Sequence, residues 1–313
     1  MKVIVAGPGA FGVKHLEAMQ RIEGVEVASI VGHASEPART VAERFGVAHW
    51  TSDLAEALAL PGVEAAVLAT PTPMHAAQAI QCLQAGKHVQ VEIPMADNLA
   101  DAVRLVEMAA RTGKIAMAGH TRRFNPSHQW VHRKIKASEL RILQMDVQTY
   151  FFRRTNINAL GERRGWTDHL LWHHACHTVD LFQYQTGETA SVARAIQGPP
   201  DHELGIAMDM SVQMKVPSGA ICTLSLSFNN DGPLGTSFRY ICDHGTYVAH
   251  YDDLMDGEGN VIDVSKGGVS PNGIELQNRE FFAAIREGRE PNASVRQCLP
   301  AMRTLDRIEK SLP

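Results

Sequence analysis

The chain has 313 residues, 44% of them hydrophobic and 20% charged, with a net charge of -4. That is the composition of a globular enzyme too long for one ordinary hydrophobic core, so two domains are expected, and it gives no electrostatic case for nucleic acid or an anionic membrane as partner. No apolar run approaches the ~18 residues of a membrane helix, the sequence opens on a strand rather than a signal segment, and five cysteines without a C-x-x-C pair argue against a disulfide framework; a cytoplasmic location with reduced thiols is expected.

Residues 2–6 form an apolar strand that runs into Gly7-Pro8-Gly9-Ala10-Phe11-Gly12, a G-x-G-x-x-G turn, and 13–22 reads as a helix with Val13, Leu16 and Met19 inward. Gly7 allows the tight turn, Gly9 the approach of a pyrophosphate and Gly12 close packing of the helix, so Gly7, Gly9, Ala10, Phe11 and Gly12 are cofactor candidates. Strands at 25–31, 65–70, 89–92 and 115–119 alternate with helices at 36–45, 74–85 and 99–112. The alternation predicts an α/β fold, a doubly wound (Rossmann) parallel sheet over 1–121.

At the end of the second strand the acid that reads NAD ribose hydroxyls is missing: the chain runs Val31-Gly32-His33-Ala34-Ser35 before Glu36. A carboxylate about 4 Å from a 2′-phosphate would repel it by roughly 4 kcal/mol at an effective dielectric of 20. Its absence favours NADP over NAD, with His33, Ser35 and Arg39 as donors. Further along, Thr70, Pro71, Thr72 and His75 follow one strand and Glu92 and Pro94 another, at the carboxyl ends where open parallel sheets bind ligands.

Beyond 119 the period changes to two. Strands at 140–152, 191–197, 206–216, 220–228, 238–242 and 246–250, with a helix at 168–184, predict a second domain over 122–313. It should be α+β, with a large, mostly antiparallel open-faced sheet and C-terminal helices (273–287, 294–312) returning to the first domain. The hydroxyl-rich sheet face suits a homodimer or homotetramer.

On that second-domain helix His173 and His177 are four apart and share a face, near Asp168 and His174. Two imidazoles can bind metal, transfer protons or serve structure; the zinc signature H-E-x-x-H is missing, so no metal is expected and acid–base work is favoured. Arginine pairs at Arg122/Arg123, Arg153/Arg154 and Arg163/Arg164, with Asn125 nearby, flank this helix in the stretch expected to line the domain seam. Guanidinium forks recognise carboxylates bidentately, which implies a small ligand with more than one carboxylate.

These motifs together resemble the glucose–fructose oxidoreductase, inositol dehydrogenase and MocA family over essentially the whole chain. The family pattern G-x-G-x-x-G, T-P-x-x-x-H, E-K-P and D-x-x-x-H is matched at Gly7, Gly9, Gly12, Thr70, Pro71, His75, Glu92, Pro94 and His177. It departs at Ile93, where the family has lysine, and at His173, where it has aspartate, which points away from ordinary sugar or inositol oxidation. The runs at 91–94, 119–128, 144–154, 166–174 and 224–235 resemble a narrower branch that oxidises a dicarboxylated cyclic hemiacetal to a lactone in aromatic catabolism. The resemblance implies NADP-dependent hydride transfer, with NAD weaker. His177 would take the hydroxyl proton, and His173 or Asp168 would orient it. Some of Arg122, Arg123, Arg153, Arg154 and Arg164, with Asn125 and His174, would hold the substrate. The alternatives are an NADP-dependent sugar or cyclic-polyol dehydrogenase and a noncatalytic NADP-binding regulator.

Overall fold

The structure, a computed structural model, describes residues 1–33, 35–157, 161, 163, 166–264 and 272–312, without the side chain of Ser35. The chain divides into two compact units, Met1–His120 with Ile274–Leu299 and Thr121–Gly273 with Pro300–Pro313.

In the first unit, strands β1 (Lys2–Ala6), β2 (Glu26–Val31), β3 (Trp50–Thr51), β4 (Val63–Leu68), β5 (His88–Val91) and β6 (Ala116–Ala118) form one sheet in the order β3-β2-β1-β4-β5-β6. Every pairing is parallel. The order reverses direction between β1 and β4, the crevice where such sheets take ligands. Val3, Ile4 and Val5 have no exposed surface, and each such side chain stabilises the unit by roughly 1.5–3 kcal/mol. Helices α1 (Ala10–Met19), α2 (Ser35–Phe45), α3 (Leu54–Leu58), α4 (His75–Gln84) and α5 (Leu99–Thr112) connect the strands. Gly113 ends α5 at φ +64°, the left-handed conformation that glycine adopts at lowest cost.

In the second unit, α6 (Pro126–Lys136), β7 (Ile142–Tyr150), a π-helical stretch Leu170–Ala175 and α7 (Cys176–Thr186) precede β8 (Val192–Gln197), β9 (Asp209–Lys215), β10 (Ile221–Ser227), β11 (Gly235–Cys242), β12 (Gly245–His250) and β13 (Asp253–Asp256). The sheet order is β13-β12-β11-β7-β10-β9-β8; β7 and β10 pair in parallel and the other pairs are antiparallel. Met210, Val212, Met214, Cys222, Leu224 and Leu226 line the buried face, while Asp209, Ser211, Gln213 and Lys215 are exposed. The π-helical stretch lies against β9 and β10, and α7 against β7. The chain closes with α8 (Gly273–Glu287) and α9 (Val295–Glu309), which contains Pro300. No helix among the described residues is long and apolar enough to cross a membrane.

Four elements were not expected from the sequence: β3, α3, α6 and β13. Strand β3 has two residues and α3 five, the latter started by Asp53, whose side chain accepts from Ala55 N at 2.8 Å. Helix α6 buries Ser127 and His128 beside Val131, so its inner face carries no apolar stripe. The single helix expected at 168–184 starts instead as a wider π turn, and π segments recur at functional sites.

Candidate active site

In the first unit, the turn after β1 is built by steric necessity. Gly7 has φ +100°, and a Cβ there would stand 2.2 Å from Ala69 O, just past β4. A Cβ on Gly12 would stand 1.8 Å from Gly7 O. A Cβ on Gly9 would meet nothing within 4 Å, and Gly9 starts α1 with no side-chain cap. The first-turn N–H groups of α1 are therefore left to an anion, and the dipole favours one. Ala10 and Phe11 are exposed beside them. The cradle fits a dinucleotide pyrophosphate.

The flanking loops are tied together through buried imidazoles. His75 brings Nδ1 to 2.8 Å from Pro94 O and Nε2 to 2.7 Å from Thr70 O, joining the turns after β4 and β5. Burial pushes its pKa down, so the ring is neutral and donates to one carbonyl at a time. Thr70 donates to Gln78 Oε1 at 2.6 Å, Pro71 opens the short turn Thr72–Met74, and Thr72 is buried. Sequence reasoning missed His15. Its Nε2 lies 3.0 Å from Glu92 Oε1 and its Nδ1 2.9 Å from Asn278 Oδ1, and Gln277 donates to the same Glu92 oxygen at 3.1 Å. Burial would raise the Glu92 carboxyl, but the bonds from His15 and Gln277 outweigh it and hold the group below its ordinary range. Glu92 is thus a fixed negative charge at the end of β5. Ile93 is only 6% exposed and places no cation beside it; the Ile93–Pro94 peptide is cis.

At the tip of β2 no carboxylate follows Val31: Gly32 is buried, its N–H donating to Thr51 O at 3.0 Å, and His33 is exposed. Arg39 is held by Glu36 and Glu43 on its own helix. The side chain of Ser35 lies outside the described residues.

In the second unit, Asp168, His173 and His174 gather beside Arg153. Arg153 Nη2 donates to Asp168 Oδ2, and Asp168 Oδ1 lies 3.9 Å from His173 Nε2. Burial would raise the Asp168 carboxyl, yet the charges of His173 and Arg153 bring it down to about 2. The His174 ring is 5.1 Å from that of His173 and packs against Phe151 and Phe228; burial lowers its pKa to about 3, so it is neutral. His177 is the second residue of α7 and half-buried. Donor atoms of Asp168, His173 and His174 lie within 4.8 Å of one another, but the Arg153 charge on the same carboxylate opposes a cation. The arrangement suits proton handling: an ionised carboxylate beside one imidazole, with a second imidazole on the next turn.

The arginines separate into distinct roles. Arg123 is buried and grips Asp180 on α7 bidentately, at 2.7 and 2.6 Å, a partner the sequence reading did not single out. Arg122 lies over the Tyr251 ring at 4.7 Å and donates to Asn125 Oδ1 at 3.5 Å, while Asn125 donates to Asp252 at 2.5 Å. Among the described residues, the buried N–H groups of Arg122 (Nε) and Arg153 (Nη1) find no hydrogen-bond partner. Arg154 is exposed, bonded to Asn229 Oδ1 at 3.0 Å, and Arg163 is exposed; Arg164 lies outside the described residues.

Parallel sheet, glycine cradle and imidazole–carboxylate cluster together define a nicotinamide-dinucleotide oxidoreductase. Residues 1–120 match the model of the GFO/IDH/MocA oxidoreductase family with its NAD-binding Rossmann fold, and 126–268 match a C-terminal domain of bacterial oxidoreductases. The chain belongs to the GFO/IDH/MocA family and is an NAD(P)-dependent oxidoreductase acting on CH–OH groups. It is 62% identical over 312 residues, covering 100% of this chain and 99% of the relative, to the 4-carboxy-2-hydroxymuconate-6-semialdehyde dehydrogenase of Sphingobium sp. (strain NBRC 103272 / SYK-6). An inositol 2-dehydrogenase of Mycolicibacterium smegmatis is 25% identical over 92% of this chain and 85% of its own. A levoglucosan dehydrogenase solved with NADH shares the fold at a TM-score of 0.87 and 19% identity, over 99% of this chain and 96% of that one.

Proposed function

We propose that the chain oxidises the cyclic hemiacetal of 4-carboxy-2-hydroxymuconate-6-semialdehyde to 2-pyrone-4,6-dicarboxylate with NADP, a step of protocatechuate 4,5-cleavage. The observation that carries this reading is 62% identity over the full chain to a dehydrogenase of that name. The second unit supports it independently, because two guanidinium groups with unbonded buried N–H, Arg122 and Arg153, match a substrate with two carboxylates.

The uncapped start of α1 with Gly7, Gly9 and Gly12 would hold the pyrophosphate, and the acid-free tip of β2, with His33 and Arg39, would admit a 2′-phosphate. The bound nicotinamide supplies the hydride acceptor. The chain's part is to hold the hemiacetal and accept its hydroxyl proton, and we assign that proton to His177, with His173 kept in place by Asp168. A second reading makes His173 the acceptor; it is favoured by the ionised Asp168 carboxylate 3.9 Å away, which would stabilise the imidazolium formed. A hemiacetal hydroxyl is more acidic than a secondary sugar hydroxyl, so the buried Ile93 can replace a lysine. The exposed polar residues of β9 and the half-buried Thr223, Ser225 and Ser227 of β10 are consistent with a homodimer or homotetramer formed through the open sheet face, and we place the enzyme in the cytoplasm.

The test is reduction of NADP⁺ at 340 nm with freshly generated semialdehyde, with NAD⁺ in parallel. Turnover to the pyrone faster with NADP⁺ is expected. Silence with the semialdehyde but turnover of an inositol or sugar would replace this reading with a polyol dehydrogenase.

A further inference from the structure

Helix α2 carries an arrangement that the missing β2 acid does not explain. The three nitrogens of the Arg39 guanidinium are engaged by carboxylates of the same helix: Nε lies 3.2 Å and Nη2 2.5 Å from the two oxygens of Glu36, and Nη1 3.1 Å from Glu43. Glu36 is the first acid after β2 and is exposed. The cation best placed in sequence to meet a 2′-phosphate is thus already occupied by an internal carboxylate of the same charge sign as the phosphate.

We infer that Glu36 is a specificity-determining residue for the cofactor: it competes with the 2′-phosphate of NADP for Arg39 and so keeps the chain open to NAD. A phosphate can take the Arg39 fork only by displacing Glu36, and the displaced carboxylate then repels it. NAD has no phosphate at this position and leaves the pair intact. The two groups stabilise each other's charged forms, Glu36 lying below and Arg39 above their ordinary values chiefly through their mutual hydrogen bond. Both side chains are solvent-exposed, so the competition is screened by salt.

The inference rests on the NADP reading above, and calorimetric binding of NADPH, NADH and adenosine 2′,5′-bisphosphate separates the two. Glu36→Gln is expected to tighten NADPH and the bisphosphate about two- to fivefold, the range of an exposed ion pair, and to leave NADH unimproved. Arg39→Ala is expected to weaken both 2′-phosphates, and in that background Glu36→Gln should gain much less. The gain should also shrink in high salt. If Arg39→Ala weakens NADPH while Glu36→Gln alters nothing, or if Glu36→Gln helps equally without Arg39, competition for Arg39 is overturned and the NADP reading stands. If wild type binds NADPH no better than NADH and Arg39→Ala changes neither, the NADP reading falls first.

Discussion

Asp168→Asn isolates the charge at the centre of the second unit's cluster. Asparagine keeps the shape and an oxygen for Arg153 Nη2, but removes the negative charge that faces Arg153 and His173. In the folded chain the carboxyl titrates at about 2 against an ordinary 3.8. A depressed acid contributes stability that is present above its unfolded value and lost as pH falls through the folded one. At about 1.4 kcal/mol per pH unit, the lowering is worth about 2 kcal/mol at pH 7 and about half that at pH 3. The side chain is 7% exposed, so solvent screens little of it. Urea unfolding followed by tryptophan fluorescence is a direct assay, because Trp166 lies beside His173 and Trp172 belongs to the same π turn. The variant should be less stable by about 2 kcal/mol at pH 7, and the deficit should shrink toward pH 3. A deficit of the same size at both values would mean that packing, not charge, holds this cluster together, and no deficit would mean that the carboxylate is neutral or unpaired.

His177→Asn should lower kcat by about 10²- to 10⁴-fold, the usual loss of a general base, with His173→Asn costing less; steady-state kinetics showing the reverse order would make His173 the acceptor. Arg153→Lys and Arg122→Lys should each raise KM for the dicarboxylate substrate about tenfold or more, since a charged hydrogen bond is worth roughly 1.5–3 kcal/mol, with a smaller effect on kcat. Gly12→Ala should abolish dinucleotide binding in calorimetry, because its Cβ would lie 1.8 Å from Gly7 O.

The first unit is legible in sequence because its signals are local. Val3, Ile4 and Val5 are apolar on consecutive positions, as a strand buried on both faces requires, and Gly7 and Gly12 mark close backbone approaches that no other residue permits. The long strands of the second unit were equally readable from period two. What escaped was either short or polar inside: β3 and α3 carry too few residues to show a period, and α6 hides Ser127 and His128 where a stripe should be. His15 left one clue, an imidazole on the inward face of α1 between Gly12 and Leu16. Its partners, Glu92 and Asn278, come from two distant stretches, with Gln277 beside Asn278 reaching the same Glu92 oxygen, and nothing in their spacing announces a shared site.

The arginine pairs show why residue type alone could not sort the site. Adjacent in sequence, Arg122 and Arg123 meet different partners: one lies over an aromatic ring with an N–H unbonded, the other is closed on Asp180. An arginine whose fork is filled by a buried carboxylate has little left for a ligand, because breaking such a buried ion pair costs several kcal/mol, in the range of about 3–5. Arg123 therefore anchors the start of the second unit to α7, three residues beyond His177. Its neighbour keeps the free donor. Both kinds of arginine look alike until the acids that answer them are known: Asp180 closes the Arg123 fork, whereas Asp168 takes only Nη2 of Arg153.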